Sequence, residues 1–332
     1  MPIDLTHKPL HIEDLTRREL LSSALAAVLV IACGDDEDAP APEETTRTID
    51  DFFGPVTVPA TPQRVIAGAG YILGNMMALG VTPAGVIGID SELRARFPGR
   101  LDSVVNLVGA DGIDMERALS LNPDLAILPV LPGNTGSEDI YRRFKAAMTT
   151  FAYEYGYTYI EETLHGLNEV ARVLDREERA KEVIAEYESR VADLSRRIVA
   201  AGLADKPVSV VRLSQGSNYS IRFGTAESIA FRALGIAQPE GQRNPEDFRI
   251  VLSLENLNLL NQAHTVFVYV DANAGNEWET LTQNPVWQSL EPVKNNRAHR
   301  VDTGVWFSSD LPGLMSIFDD IEHTFIKPAE QL

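Results

Sequence analysis

The chain has 332 residues, 44% of them hydrophobic, with a single cysteine. That length suits about two domains, and one thiol excludes an internal disulfide and any metal centre built on several thiolates. A formal net charge of −19 argues against a broad nucleic-acid surface, because phosphate binding needs clustered Lys and Arg.

The N-terminus reads as an export signal. Leu20 to Ala32, "LLSSALAAVLVIA", is 13 residues without a charge. It is too short for a bilayer, which needs roughly 20 apolar residues, and suits the core of a secretion signal. "TRRELL", Thr16 to Leu21, resembles the twin-arginine export motif. "VIAC", Val30 to Cys33, resembles the lipobox of bacterial lipoproteins, which implies cleavage before Cys33 and acylation of its sulfur. Residues 1–32 are then a signal peptide, and the mature chain keeps a charge of about −18. Residues 33–47, acidic and carrying Pro40 and Pro42, form an extended disordered tether.

Residues 48–174 read as a first α/β lobe. "RVIAGAG" (Arg64–Gly70), "GVIGI" (Gly85–Ile89), "VVNLVG" (Val104–Gly109) and "LAILPV" (Leu125–Val130) are short apolar runs of the kind buried on both faces of a parallel sheet. Helices are expected at Tyr71–Leu79, Met115–Leu121 and Glu138–Phe151. A long helix follows over residues 175–202, with Asp175 and Glu178 as a capping-box-like start and Gly202 as the stop. Ala180, Ile184, Tyr187, Val191, Leu194 and Ile198 form its apolar stripe. Residues 203–332 read as a second lobe, with strands at Val208–Leu213, Thr265–Val270 and Ala298–Asp302. Helices are expected there at Glu227–Leu234, Leu254–Gln262 and Leu311–Phe325. The fold class expected is α/β: two Rossmann-like three-layer lobes joined by one long α-helix.

Several segments in this order resemble the helical-backbone substrate-binding proteins of ABC importers for ferric siderophores, haem and cobalamin. They are "VPATPQRVIAGAGYILGNMMALGVTPAGVIG" (Val58–Gly88), "DMERALSLNPDLAIL" (Asp114–Leu128) and "NPVWQSLEPVKNNRAHRVD" (Asn284–Asp302). The resemblance implies a ligand cleft between the lobes and docking on a permease through one exposed glutamate per lobe. The matching positions are Glu116 and Glu255, which equally suit the first turns of their helices. It also implies a monomer anchored by its lipid on the extracytoplasmic face, with no resident cofactor and no catalysis.

Ligands of such lobes sit beyond the carboxyl ends of strands. Reading off those loops gives Tyr71, Arg94, Arg96, Arg212, Tyr219 and Arg222, with Trp306 where the family often has an aromatic. A ferric siderophore arrives with its iron coordinated, so the cleft needs aromatic faces and arginines and no metal ligands of its own. Other classes fit less well. "GAGYILG" is one residue too long for the dinucleotide fingerprint. His165, His264, His299 and His323 make no close-spaced metal pair, and no hydrolase motif occurs. Haem or cobalamin binding within the family, and a secreted α/β enzyme or tethered sensor outside it, stand as alternatives.

Overall fold

The computed structural model describes residues 45–331 apart from 217, 224 and 245–248, and places Thr46 onward in ordered structure. The expected signal, Cys33 and the expected tether as far as residue 44 lie outside the described residues, whereas Thr46 and Arg47, expected as disordered tether, belong to a strand because they pair with the segment ending at Pro59.

The chain opens on an antiparallel hairpin, β1 (Thr46–Asp51) and β2 (Gly54–Pro59), which the apolar-run reading did not anticipate. Its alternation of exposed and half-buried residues is that of a one-sided ribbon. The first lobe is then built on β3 (Val65–Ala67), β4 (Gly85–Val86) and β5 (Val105–Asn106). A small ribbon of β6 (Val108–Gly109) and β7 (Gly112–Ile113) precedes β8 (Leu125–Val130) and β9 (Thr150–Glu154). The main sheet runs β5-β4-β3-β8-β9, all parallel. This is the doubly wound order, and its switch point lies between β3 and β8. Its helices are α1 (Gly70–Ala78), α2 (Ser91–Arg96), α3 (Met115–Ser120), α4 (Thr135–Lys145) and α5 (Ile160–Leu174). The helix expected to reach Phe151 stops at Lys145. Thr150, Phe151 and Tyr153 are β-branched or aromatic and supply the edge strand instead.

The long helix, α6 (Glu177–Ala200), has 24 residues and spans about 36 Å. Asp175 does not start it: its φ of 57° ends α5 in the left-handed region, and Arg176 is the N-cap. Ala180, Tyr187, Leu194 and Ile198 of the stripe are buried, together with Val183, while Ile184 and Val191 are half-buried.

The second lobe contains β10 (Val208–Ser214), β11 (Asn218–Arg222), α7 (Ala226–Leu234), β12 (Arg249–Leu252) and β13 (Thr265–Val270). It continues through α8 (Glu277–Gln283), α9 (Pro285–Ser289), α10 (Glu291–Lys294), β14 (Ala298–Arg300), α11 (Thr303–Trp306) and α12 (Leu311–Ile321). Its sheet is mixed, in the order β12-β11-β10-β13-β14, with β11 and β12 antiparallel additions to a parallel core. The segment Asn218–Arg222, expected as loop, is therefore sheet. The helix expected over Leu254–Gln262 is a 3-10 turn from Leu257 to Gln262.

The lobes share more than α6. One apolar core runs from Val65 and Ile127 of the first sheet, through α1, α5, α6, α7 and α12, to Val210 and Phe267 of the second. Tyr187 of α6 stacks on Phe318 of α12 at 5.7 Å. A packed seam of this kind resists wide hinge opening.

Candidate functional site

The three glycines of "GAGYILG" are each explained by close approach. A Cβ on Gly68 would stand 2.6 Å from the Leu128 side chain and 2.7 Å from the Ile127 carbonyl oxygen. One on Gly70 would meet Leu93 at 3.2 Å, and one on Gly74 would meet the Asp310 carboxyl at 2.4 Å. The motif thus brings the β3–α1 turn against β8 and opens room for an acid from the far end of the chain. It also delivers Tyr71 at the switch point.

Tyr71 stacks on Tyr155, with ring centroids 3.9 Å apart and planes 7° apart, and Tyr155 leans on Tyr157 at 5.7 Å. The loop bearing Tyr155 and Tyr157 is fixed from several sides. Glu162 Oε2 accepts from the Thr158 and Tyr159 amides at 2.7 and 3.0 Å, Arg232 of α7 donates to the Thr158 carbonyl, and Tyr155 hydrogen-bonds Ser309. Burial pushes the hydroxyls of Tyr71 and Tyr155 far above the usual tyrosine range, so both rings stay neutral.

Facing these rings is the second lobe. A cavity of about 570 Å³ lies between Tyr71, Tyr155 and Tyr157 on one side and Arg222, Glu227 and Arg249 on the other, with Phe307 and Ser309 at its edge. A smaller one, about 190 Å³, continues past Tyr71 and Phe307 towards Asp90 and Glu92. Arg222 and Arg249 are directly opposite each other across β11 and β12. Two like charges so placed repel, and among the described residues Arg249 has no ion-pair partner. The arrangement is aromatic on one wall and cationic on the other, and it suits a bulky ligand carrying negative oxygens.

Of the seven cleft residues expected from sequence, Tyr71 and Arg222 line this cavity. Arg212 stands beside it: its guanidinium is bound bidentately by Asp271 at 2.9 and 3.0 Å and lies 4.5 Å from the centroid of the Phe307 ring. The other four are placed elsewhere. Arg94 is exposed and holds the Leu101 carbonyl at 2.8 Å. Arg96 is locked in a buried pair with Asp310, at 2.6 and 2.9 Å, and also donates to Ser308 at 2.7 Å. Tyr219 is fully buried in the second lobe, where strand alternation turns it inward, and its hydroxyl donates to Glu277 at 2.5 Å. Trp306 is also fully buried, 4.6 Å from the Phe267 ring, with Nε1 donating to Asp320 at 2.7 Å. The aromatic that reaches the cleft is its neighbour Phe307, 54% exposed.

Sequence reasoning missed Tyr155, Tyr157, Arg249, Phe307 and Ser309. One signal was available: "YEYGYTY", Tyr153 to Tyr159, places four tyrosines two apart at the end of a strand. Glu116 is exposed in the first turn of α3, and Glu255 is exposed in the turn before Leu257. Among the described residues, no three His, Cys, Asp or Glu side chains group as metal ligands.

Comparison with known proteins places the whole scaffold. The family model described as "Periplasmic binding protein" matches residues 65–302, and the chain belongs to that family. It is 26% identical over 327 residues to the "Probable siderophore-binding lipoprotein YfiY" of Bacillus subtilis, covering 91% of this chain and 96% of that one. It is 24% identical over 294 residues to the "Fe(3+)-citrate-binding protein YfmC" of the same organism, covering 85% and 88%. A solved structure from Thermobifida fusca, the siderophore periplasmic binding protein of the fuscachelin gene cluster, superposes with a TM-score of 0.66 at 23% identity, covering 83% of this chain and 99% of that one.

Proposed function

We propose that this periplasmic binding protein captures a ferric siderophore in its interlobe cleft and delivers it to the permease of an ABC importer. The observation that carries the reading is the cleft's composition: a stacked tyrosine wall facing Arg222 and Arg249 at the switch point of a doubly wound sheet. Aromatic faces pack against the organic shell of a chelate, while guanidinium forks pair with its outward oxygens. The opposed arginines favour a chelate with net negative charge, a catecholate or carboxylate complex, over a neutral one. Relatives whose names specify siderophore and ferric citrate binding support the same ligand class.

The chain acts as a single copy, bound to the extracytoplasmic face of a membrane through acylated Cys33, and makes or breaks no bond. Glu116 and Glu255, one per lobe, meet basic residues of the permease and fix its orientation. Export behind a cleavable signal separates the protein from cytoplasmic cofactors, in keeping with a carrier role.

Fluorescence titration of the full chain tests the reading, with ferric catecholate, ferric citrate, ferric hydroxamate, haem and cobalamin as probes. Saturable binding of a ferric chelate, weakened by Tyr71→Ala, is the expected result. Saturation by haem or cobalamin alone reassigns the cargo, and absence of binding to every probe overturns the proposal.

A further inference from the structure

The β1–β2 hairpin ends in an apolar tip. Phe52 and Phe53, at its turn, are adjacent in sequence and 40% and 44% exposed. The two rings meet edge to face at 5.0 Å, and Phe53 stacks on Tyr141 of α4 at 4.2 Å. The Phe52 amide donates to the Ala152 carbonyl of β9 at 2.8 Å, and the Phe53 amide donates to Asp51 Oδ1 at 2.7 Å. Asp51 Oδ2 accepts from the Tyr141 hydroxyl at 2.9 Å, so both oxygens of that acid are engaged within the turn. The tip therefore presents aromatic rings while its own amides are satisfied, and it enters an apolar medium without stranding a donor.

Charge sets this face apart from the rest of the molecule. The chain carries a formal net charge of −19, yet Arg142, Arg143 and Lys145 stand together and exposed at the end of α4. Lys145 Nζ donates to the Tyr141 hydroxyl at 2.8 Å and lies 5.1 Å from the centroid of the ring that Phe53 covers. Asp139 pairs with Arg142 at 2.7 Å, and Asp50 and Asp51 offset the other two cations, so the patch is close to neutral. A phosphate-bearing surface repels the acidic remainder of the chain and does not repel this face.

The segment before the hairpin selects the occupant. From Cys33 to Thr46 the chain extends at most about 45 Å, and each arm of the hairpin is about 20 Å long. An acyl anchor at Cys33 thus holds the tip within reach of the bilayer at high effective concentration, whereas a soluble partner arrives by diffusion. We propose that Phe52 and Phe53 insert into the headgroup layer of the phospholipid bilayer, with Arg143 and Lys145 against lipid phosphates. This contact rests on the anchored reading and deepens it, since it fixes which side of the protein meets the membrane. β9 is one edge of the first sheet and β5 is the other, and Glu116 follows β5 through the small ribbon. The bilayer therefore takes the lobe by the edge away from its docking glutamate.

The experiment uses the chain expressed with its signal, purified from membranes and reconstituted on vesicles of equimolar phosphatidylethanolamine and phosphatidylglycerol, with plain or brominated acyl chains. Phe53→Trp reports the tip. The native tryptophans are the background: Trp287 and Trp306 are buried, and Trp278 is half-buried in the second lobe. Brominated lipid is expected to quench roughly half of the emission that Phe53→Trp adds and to leave the wild type unchanged. Adding Arg143→Glu and Lys145→Glu should remove most of that quenching, with thermal melts showing that each variant is folded. Equal emission of Phe53→Trp on both kinds of vesicle overturns the proposal. Quenching that ignores the charge reversal overturns the phosphate contact, and equal quenching of the wild type overturns the tip in favour of the second lobe. A two-copy sedimentation mass in detergent that returns to one copy in Phe52→Ser with Phe53→Ser assigns the tip to a second chain and overturns the proposal as well. A chain that fails to float with the vesicles overturns the anchored reading together with the tip, whereas one that floats unquenched overturns the tip alone.

Discussion

Replacing Arg96 by methionine isolates the contact that ties the first lobe to the loop behind the cleft. Asp310 is fully buried and receives both guanidinium nitrogens of Arg96, the Ser308 hydroxyl and the Gly313 amide at the start of α12. Removing Arg96 leaves a buried carboxylate with two neutral donors. Breaking one side of a buried pair costs about 3–5 kcal/mol. Unfolding entropy near 2.1 cal/mol/K per residue gives roughly 0.6 kcal/mol/K for about 290 folded residues, so Tm should fall by about 5–8 °C. Phe307 and Ser309 flank the Ser308–Asp310 contact and line the cavity, so ligand affinity should fall with stability. The assay is scanning calorimetry with and without a ferric chelate, on Arg96→Met, Asp310→Leu and the double variant. The double variant should lose less than the sum of the singles, since it buries no orphaned charge. A drop below about 2 °C for Arg96→Met, or strictly additive losses, refutes the reasoning.

Gly74→Ala puts a methyl where the Asp310 carboxyl now sits; a loss of about 1–3 kcal/mol is expected in urea denaturation, despite alanine's better helix propensity. Glu322 is held by Arg197 and Arg190 at 2.6 and 2.5 Å, which pull its carboxyl from 4.5 down to about 2. A depressed folded value gives stability that is full above 4.5 and lost as pH falls towards 2. Glu322→Gln should therefore be less stable than wild type at neutral pH, with the gap closing between those values in pH-dependent melts. Arg249→Ala should weaken an anionic ferric chelate about tenfold and flatten its salt dependence, read by titration at two ionic strengths. Glu116→Ala combined with Glu255→Ala should abolish uptake of radiolabelled iron by cells and leave the dissociation constant unchanged; a weakened ligand affinity would remove both residues from the docking role.

Much of the fold was legible from sequence because strands buried on both faces leave unbroken apolar runs. "TVFVYV" and "LAILPV" became strands at the bounds expected, and the stripe of α6 followed from its 3.6-residue period. The antiparallel additions were not legible. Asn218–Arg222 and Arg249–Leu252 are short and defined by pairing, the first with β10 and the second with β11, which no local pattern encodes. Arg96 and Trp306 show the same limit within the site: both occupy the right loops, yet Asp310 draws one guanidinium inward and Phe267 with Phe231 encloses the indole.

By itself, then, the amino-acid sequence determined the alternating α/β order, the long helix and the chemistry available to the loops, since each is written in nearest neighbours or a short period. Tertiary structure decided which loop residues meet. Residues 71, 155, 222, 249 and 307 share one cavity only because two sheets are packed across a common helical seam, and side chains one position apart in sequence point to opposite sides of that seam.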